Sequence, residues 1–325
     1  MKLSKLSKGL TVTAAALVVA GSAAFAQTKS AADVTIGFLH RTMTAPYYVA
    51  MWKEAERLAE EKGFNLVASQ ADADAVKQMQ QLEDMLAKGV DAVVVNAVDP
   101  VTTETAFRQA IEDGLQVVFI DTEIPGVGAN ATFGADNEGI GKLAGEITSK
   151  RIGAGPIKIG ILEGAPGDKF VGPARERGFL AGLEAGGTEY EVVVRGQAKY
   201  SQDLAVPATE DMLTAQPDID LIFGYNDAMA LGALSVLSAD SKTLVAGIDG
   251  QKEAFAEIKA GGCDGKYVAS GLNSPTLAAR DGFSLALEIA TGEKQPSNEQ
   301  PFVFTDVAGI GCENIDEFYD ENSAF

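Results

Sequence analysis

Residues 220–234 read DLIFGYNDAMALGAL, a short apolar run followed at once by a helical segment. The run at 221–223 predicts a buried strand, and the apolar residues after it recur at helical spacing. Asn226 and Asp227 stand between the two, where the strand ends. Asp is a preferred N-cap, so we expect Asp227 to cap the helix. Asn226 is then a polar side chain at a strand end that helix capping does not explain.

The same order of strand and helix recurs along the chain. Strand-length apolar runs are predicted at residues 34–39, 64–68, 92–95, 117–120, 157–162, 191–194, 221–223, 244–246 and 267–269. Most neighbouring runs are separated by a segment with helical periodicity. Strands that alternate with helices indicate βαβ units, and runs that are apolar throughout indicate parallel sheets buried on both faces. The predicted fold class is α/β.

The first two helical segments predict which of their faces are buried. The apolar residues that share a face are, in the first helix, Tyr48, Met51, Trp52, Ala55 and Ala59, and in the second Val76, Met79, Leu82 and Leu86. Each helix is expected to stop at a glycine, Gly63 or Gly89, because glycine is the usual residue just past a helix end.

The alternation divides the chain into two similar halves. About five strands are expected up to residue 134, and the order starts again near residue 157. Residues 134–146, GADNEGIGKLAGE, join the halves, with Asp136 or Asn137 placed to cap a helix. This stretch lacks Pro, Ser and charge runs, so we expect an ordered crossover and not a flexible linker.

The first 26 residues have the order of a secretory signal peptide. Three lysines precede an apolar core at residues 10–20, and Ala24-Phe25-Ala26 forms a cleavage signal. The core is shorter than the ~20 residues that span a bilayer. We therefore expect a signal peptide and not a membrane anchor, with cleavage before Gln27 and export of the protein to the bacterial periplasm.

The net charge excludes some classes of partner, and the cysteine content predicts a disulfide. The formal net charge is -20, from 26 basic and 46 acidic residues, so nucleic acid and anionic membrane surfaces are not expected partners. The two cysteines, Cys263 and Cys312, form either one disulfide or two separate buried thiols. An oxidising compartment favours the disulfide. Their wide separation fits no zinc-ligand spacing.

Polar and aromatic side chains follow nearly every predicted strand, at the end of the sheet where open parallel sheets bind ligands. They are His40, Arg41, Tyr47, Tyr48, Asp121, Glu163, Arg195, Gln197, Tyr200, Asn226, Asp227, Asp249 and Asn273. Any single Asp or Asn among them has helix capping as its alternative role. Together, carboxylates and guanidinia match vicinal hydroxyls, and tyrosine rings match C–H faces. The set predicts a carbohydrate or polyol site.

Seven separated motifs resemble one known family. They are APYYVAM (45–51), VVFIDTE (117–123), GADNEGIGKLAGE (134–146), RERGF (175–179), FGYNDAMALGAL (223–234), VAGIDG (245–250) and ATGEK (290–294). In these motifs the chain resembles the ribose-binding-protein-like, type I periplasmic binding proteins of ABC sugar transporters, and the resemblance covers nearly all of the chain after the signal peptide.

The resemblance implies two Rossmann-like parallel-sheet lobes joined by three crossover hinge segments, near Gly134, Asn273 and Val303. The N-terminal lobe would hold residues 33–135 and 274–302, and the C-terminal lobe residues 136–273 and 303–325. The protein would act as a monomer that delivers its ligand to a membrane permease. The ten ligand-binding residues carried over from the family are Arg41, Tyr47, Tyr48, Asp121, Thr122, Arg175, Tyr200, Asn226, Asp249 and Asn273, and Ala45 stands at a further position of the family's site.

Three positions depart from the family's ribose binders. Those proteins carry a small hydroxyl residue in place of Arg41, Asn in place of Ala45 and Arg in place of Thr122. One guanidinium is therefore lost and another gained on a different wall of the site. Because this changes which hydroxyls find partners, the expected ligand is a neutral pentose, hexose or sugar alcohol other than ribose.

Three other functions receive less support from the sequence. The chain has one histidine, no G-x-S-x-G motif and no phosphate-binding glycine loop, so we expect no enzyme, no cofactor and no metal site. Lactose-repressor-type regulators share the two-lobe body, but they need an N-terminal helix-turn-helix where this chain has a signal peptide. A sugar-sensing binder for a chemoreceptor stays an open alternative.

Overall fold

The structure is a computed structural model that describes residues 28–166, 168–323 and 325. It contains two six-stranded sheets with helices on both faces, which confirms the α/β prediction. The predicted signal peptide, residues 1–26, lies outside the described residues. Within the described part of the chain, no helix is long and apolar enough to cross a membrane.

Strands and helices alternate along most of the chain. The strands are β1 Thr35–His40, β2 Asn65–Gln70, β3 Ala92–Val95, β4 Gln116–Ile120, β5 Ala131–Gly134, β6 Ile157–Glu163, β7 Tyr190–Gln197, β8 Leu221–Gly224, β9 Leu244–Asp249, β10 Tyr267–Leu272, β11 Phe302–Phe304 and β12 Gly309–Ile310. The helices are α1 Pro46–Lys62, α2 Ala75–Lys88, α3 Pro100–Glu112, α4 Asn137–Ile152, α5 Val171–Ala185, α6 Gln202–Ala215, α7 Asp227–Val236, α8 Lys252–Gly261, α9 Pro275–Thr291 and α10 Ile315–Phe318.

The two sheets repeat one strand order. The first runs β11-β5-β4-β3-β1-β2, and the second runs β12-β10-β9-β8-β6-β7. All neighbouring strands are parallel except β10 and β12. In each sheet the direction of winding reverses beside the first strand of the half, β1 or β6. Ligands of open parallel sheets bind at such a reversal, beyond the carboxyl ends of the strands.

Each sheet is buried on both faces. The first sheet has one apolar cluster that includes Phe38 and Phe283 and another that includes Phe107 and Phe119. The second sheet packs against two further apolar clusters. Burial on both faces explains why central strands such as β3 and β8 are apolar throughout and do not alternate. We call each sheet with its helices a lobe.

The chain passes between the lobes three times. It leaves the first lobe after β5, because α4 packs on β9, β10 and β12. It returns after β10, because α9 packs on β3, β4 and β5. The last passage follows β11, which pairs with β5, and leads to β12, which pairs with β10. β11 therefore keeps the chain with the first sheet as far as Phe304, two residues beyond the predicted change of lobe after residue 302.

Helices α4 and α5 lie against each other at backbone distance. A side-chain carbon added at Gly178 would overlap the carbonyl oxygen of Glu138, and one at Gly141 would overlap that of Arg175. Gly145 and Gly182 meet the opposite helix in the same way. Only glycine permits this approach, and its consequence is that α5 holds Arg175 close to the amino end of α4.

Several local predictions are tested by the structure. Gly63 and Gly89 both end their helices in the left-handed conformation, and Asp136 caps α4 by accepting a bond from the Gly139 amide. The predicted buried face of α2 is correct at Leu82 and wrong at its two ends. Val76 and Leu86 are 55% and 43% exposed, and the buried side chains are Gln78, Leu82 and Met85.

Gln78 explains the error on α2. Its carboxamide donates to the Asn96 carbonyl at 3.0 Å and accepts from the Val98 amide at 2.9 Å. A buried carboxamide with both groups hydrogen-bonded carries little penalty, so this face of the helix turns inward.

The disulfide prediction is confirmed, since Cys263 and Cys312 are bonded to each other.

Candidate ligand-binding site

A cavity of about 520 Å³ opens beyond the carboxyl ends of strands from both sheets. Nine of the ten residues predicted to bind the ligand line it, together with Ala45; they are Arg41, Tyr47, Tyr48, Asp121, Thr122, Arg175, Tyr200, Asn226 and Asp249. The tenth, Asn273, is buried and bonded to two of them, Tyr47 and Asp249. The structure therefore brings the predicted residues to one place, with side chains from both lobes.

Asp121 is the central acceptor on the wall of the first lobe. Its Oδ1 accepts a hydrogen bond from Tyr47 Oη at 3.0 Å. Its Oδ2 accepts from Asn96 Nδ2 at 3.0 Å and from Thr122 Oγ1 at 3.0 Å. Because an ionised carboxylate has about four acceptor positions, Asp121 keeps capacity for a hydroxyl donor in the cavity.

Arg175 and Asp249 form the corresponding centre on the wall of the second lobe. Arg175 Nη1 lies 3.0 Å from Asp249 Oδ1 and donates to the Tyr225 carbonyl at 2.8 Å, and Nε donates to Asn137 Oδ1 at 2.9 Å. Nη2 makes no hydrogen bond to the described residues. A guanidinium has five N–H donors, so those on Nη2 are available to a ligand.

Tyr47 connects the two walls. Its hydroxyl also lies 3.2 Å from Asn273 Oδ1, so one phenol proton is shared between Asn273 and Asp121. Asn273 in turn donates through Nδ2 to Asp249 Oδ1 at 3.1 Å. A continuous chain of polar contacts therefore crosses from lobe to lobe, in the order Asn96, Asp121, Tyr47, Asn273, Asp249 and Arg175.

Arg41 brings a second guanidinium to the cavity from the end of β1. Its Nη1 lies 3.5 Å from the Ala97 carbonyl, and no carboxylate of the described chain lies within 4.0 Å of it. On the facing lobe, Tyr200 donates its hydroxyl to Asp168. Asp168 also accepts from the amides of Val171 and Gly172 at the start of α5.

Asp168 and Asn96 were missed by the sequence analysis. Asp168 stands in the loop after β6, five residues beyond the predicted strand-end residue Glu163. Asn96 directly follows β3, and β2 and β3 are the two strands of the first four for which no polar successor was proposed. The signal for both was the rule already used for the other strands, that a polar residue just past a parallel strand faces the ligand edge.

Three cavity residues have strained backbones. Asp121, Tyr200 and Asp249 have φ angles of 62°, 61° and 127°, where side chains other than glycine are uncommon. Such conformations cost about 1–3 kcal/mol each and persist when the surrounding structure requires them. All three residues line one cavity. We infer that the surrounding structure holds their side chains in place there in spite of the unfavourable backbone conformation.

The prediction that Asp227 caps the helix is wrong, because Asn226 is the cap. Asn226 is the N-cap of α7, and its Oδ1 accepts from the Met229 amide at 3.0 Å, while the residue also lines the cavity. Asp227 is fully buried and accepts from the amides of Gly250 and Gln251, both at 2.8 Å. Asp227 therefore fixes the β9–α8 loop, which follows Asp249.

Some strand-end residues do not reach the cavity. Arg195 and Gln197 lie on β7, the edge strand of the second sheet, and both bond to Glu163. Arg195 is 43% exposed and also pairs with Glu176 at 2.7 Å. These residues form a surface network, because an edge strand lies farther from the reversal point than β6 or β8.

His40 is a packed, neutral residue. Its Nε2 lies 3.1 Å from the Tyr48 carbonyl, and its ring contacts those of Phe38 and Trp52. Burial lowers the pKa of His40 to about 4, so the ring is uncharged at neutral pH. This arrangement supports the start of α1, which presents Tyr47 and Tyr48 to the cavity.

The charges in the cavity nearly cancel. Its lining includes three cationic side chains, Arg41, Lys169 and Arg175, and four carboxyl groups, Asp99, Asp121, Asp168 and Asp249. Burial raises the pKa of Asp249 to about 7, against the opposing effect of Arg175. A nearly balanced lining rich in donors and acceptors is suited to an uncharged, polyhydroxylated molecule.

Comparisons with known proteins agree with this geometry. A family model described as periplasmic binding protein domain matches residues 36–294. The ribose import binding protein of Bacillus subtilis (strain 168) is 32% identical over 264 residues, which are 81% of this chain and 83% of that protein.

Solved structures give the same result. An ABC transporter solute binding protein of Mycobacterium smegmatis with bound glycerol has a TM-score of 0.79 and 30% identity, covering 90% of this chain and 98% of that one. The Caulobacter myo-inositol binding protein, bound to myo-inositol, has a TM-score of 0.77 and 27% identity, covering 87% and 95% of the two chains.

Proposed function

Since the chain belongs to the family of periplasmic binding proteins, we propose that it is the exported solute-binding protein of an ABC importer. Its ligand is a small neutral sugar or sugar alcohol, captured between the two lobes and delivered to a membrane permease. The protein works in the periplasm and catalyses no reaction on the ligand.

One observation carries this proposal. Carboxylates and guanidinia from both lobes, with three tyrosines, face one cavity, and the chain of contacts through Tyr47 and Asn273 joins the two walls. Asp121 and Arg175 Nη2 retain acceptor and donor capacity that a ring or chain of hydroxyls can use. We propose that the ten predicted residues contact or directly support the ligand.

The character of the ligand follows from charge and from the altered positions. Balanced charges disfavour an anionic or cationic solute, because either would leave a buried charge without a partner. Arg41, Ala45 and Thr122 change the pattern of hydroxyl partners relative to ribose binders of the family. Related structures hold glycerol and myo-inositol, so ligands without a sugar ring belong to the range that we propose for this chain.

The proposed mechanism is closure upon binding. A ligand that bonds to both walls stabilises the closed arrangement over the open one by its differential affinity. The three passages between lobes, after β5, after β10 and after β11, are the segments that would bend. The closed form is then the form that the permease distinguishes from the empty protein.

A thermal-shift screen tests the proposal. The mature protein is heated with neutral pentoses, hexoses and polyols, and with uronic acids, amino sugars and amino acids as charged controls. We expect a rise in melting temperature with at least one neutral polyhydroxylated compound, since a ligand at 100 times its Kd adds about 2.7 kcal/mol to the free energy of unfolding. A response confined to the charged controls would refute the neutral-sugar assignment.

A further inference from the structure

The segment from β12 to Phe325 packs beside the proposed binding site, next to Asp249 and Tyr47. After β12 the segment is joined to α8 and its neighbourhood by the Cys263–Cys312 disulfide and by packing of α10 on α8. Lys252 Nζ then donates to the Ser323 carbonyl at 2.8 Å. All these anchors belong to the second lobe.

Phe325 leaves that lobe and contacts the first. Its ring packs edge-on against the ring of Tyr47, with centroids 5.6 Å apart and planes at 84°. Tyr48 makes a similar edge contact with Tyr47, at 5.5 Å and 88°. Two aromatic neighbours therefore hold the Tyr47 ring, and one of them comes from the opposite lobe's segment.

The same segment lines a second, smaller space behind the site. This cavity of about 120 Å³ is lined by residues that include Asp249, Ser274, Tyr319, Ser323 and Phe325. Asp249 also lines the large cavity, so it stands between the two. The segment thus borders Asp249 from the smaller cavity and contacts Tyr47 through Phe325, which does not line the large cavity.

We propose that Phe325 is a positioning residue for ligand binding, and that it acts through Tyr47. The Phe325 ring fixes the Tyr47 ring so that one hydroxyl reaches both Asp121 and Asn273, which keeps the polar chain between the walls continuous. Phe325 itself does not line the large cavity. The inference rests on the proposed function, because its effect is measured as ligand affinity.

Calorimetric titration of the Phe325→Ala variant tests this role. The probe is whichever of glycerol, myo-inositol, D-allose and D-ribose binds the wild type most tightly. An edge-on aromatic contact predicts a two- to tenfold rise in Kd. Leu86→Ala, which removes a 43% exposed side chain near the carboxyl end of α2, away from the cavity and the three passages, is the control and should leave Kd unchanged.

A double-mutant cycle separates positioning from general destabilisation. In the Tyr47→Phe background the hydroxyl is gone, so adding Phe325→Ala should raise Kd by much less than it does in the wild type. Phe325→Leu should restore part of the affinity, and it serves as the test variant where Phe325→Ala does not fold.

Two results would overturn the inference. One is a folded Phe325→Ala protein with wild-type Kd, and the other is an equal loss of affinity with and without the Tyr47 hydroxyl. A wild-type protein that binds none of the four probes and no neutral compound of the thermal-shift screen would instead refute the proposed function, which is a distinguishable outcome.

Discussion

The guanidinium of Arg175 lies 3.0 Å from the carboxylate of Asp249, and both side chains are almost fully buried. Burial of a carboxyl group favours its neutral form, whereas the adjacent guanidinium favours the charged form. Burial prevails, with Asp227 and Asp121 acting in the same direction, and the pKa of Asp249 is raised to about 7. This pair places a group that titrates near neutrality in the lining of the large cavity.

The first prediction concerns stability against pH. Folded Asp249 holds its proton up to about pH 7, while the unfolded chain loses it near 3.8. Its contribution to the free energy of unfolding is therefore fully present below 3.8 and is lost as pH rises through 7. Subtracting the Asp249→Asn curve from that of the wild type, by urea unfolding between pH 4 and 8, should leave a fall of at most about 1.4 kcal/mol per pH unit.

The stability of the Asp249→Asn variant is subtracted from that of the wild type because other groups also titrate between pH 4 and 8. The pKa of buried Asp227 is also raised, and that of His40 is lowered to about 4, which acts in the opposite direction on stability. Both groups are common to the two proteins. Parallel curves for wild type and variant would show that Asp249 is ionised throughout and that Arg175 outweighs burial.

The second prediction concerns Asp121. Asp121→Asn puts an amide where Tyr47, Asn96 and Thr122 all donate, so at least one donor loses its acceptor and the ligand loses a charged one. Loss of a hydrogen bond to a charged group is worth about 1.5–3 kcal/mol, or roughly 10- to 150-fold in Kd. Calorimetric titration measures this change. The same substitution at exposed Asp240 is the control, and equal Kd values for the two variants would remove Asp121 from the site.

The third prediction concerns the contact of α4 with α5. Gly178→Ala forces the helices apart and should lower the free energy of unfolding by about 1–3 kcal/mol, because a methyl group has no space beside Glu138. Gly261→Ala adds the same methyl group near the end of α8, where no atom lies within 4 Å, and should be neutral or slightly stabilising. Urea unfolding compares them, and an unaffected Gly178→Ala protein would contradict the close packing.

The fourth prediction concerns the disulfide. It closes a segment of 49 residues, and replacing both cysteines with serine should cost about 2–4 kcal/mol. Wild-type protein in reductant should unfold at the same urea concentration as the Cys263→Ser/Cys312→Ser variant, which itself should not respond to reductant. A wild type that is insensitive to reductant would indicate that the bridge adds no stability.

Strong local signals were sufficient for the main strands of both sheets. The strand at Ala92–Val95 has the predicted bounds, because a short run of apolar, mainly β-branched residues is enough to identify a buried strand. β11 and β12 were not predicted. They are three and two residues long, and their pairing depends on strands more than a hundred and about forty residues earlier in the chain.

The lining of the large cavity was predicted more completely than the packing around it. Positions after parallel strands converge by topology, which explains why Asp121, Asn226 and Asp249 are found in one cavity. The roles of Gln78 and Asp227 were missed, because a buried polar residue is recognised only when its partners are known. The glycines of α4 and α5 can be read from the sequence, but their role cannot, because it depends on how the two helices pack against each other.

The most direct test of the central claim is a crystal structure of the protein with the neutral compound that gives the largest thermal shift. The account predicts that its hydroxyls lie within hydrogen-bonding distance of Asp121 on one lobe and of Arg175 or Asp249 on the other. A ligand held by one lobe alone, or seated in the 150 Å³ cavity beside the disulfide, would contradict it.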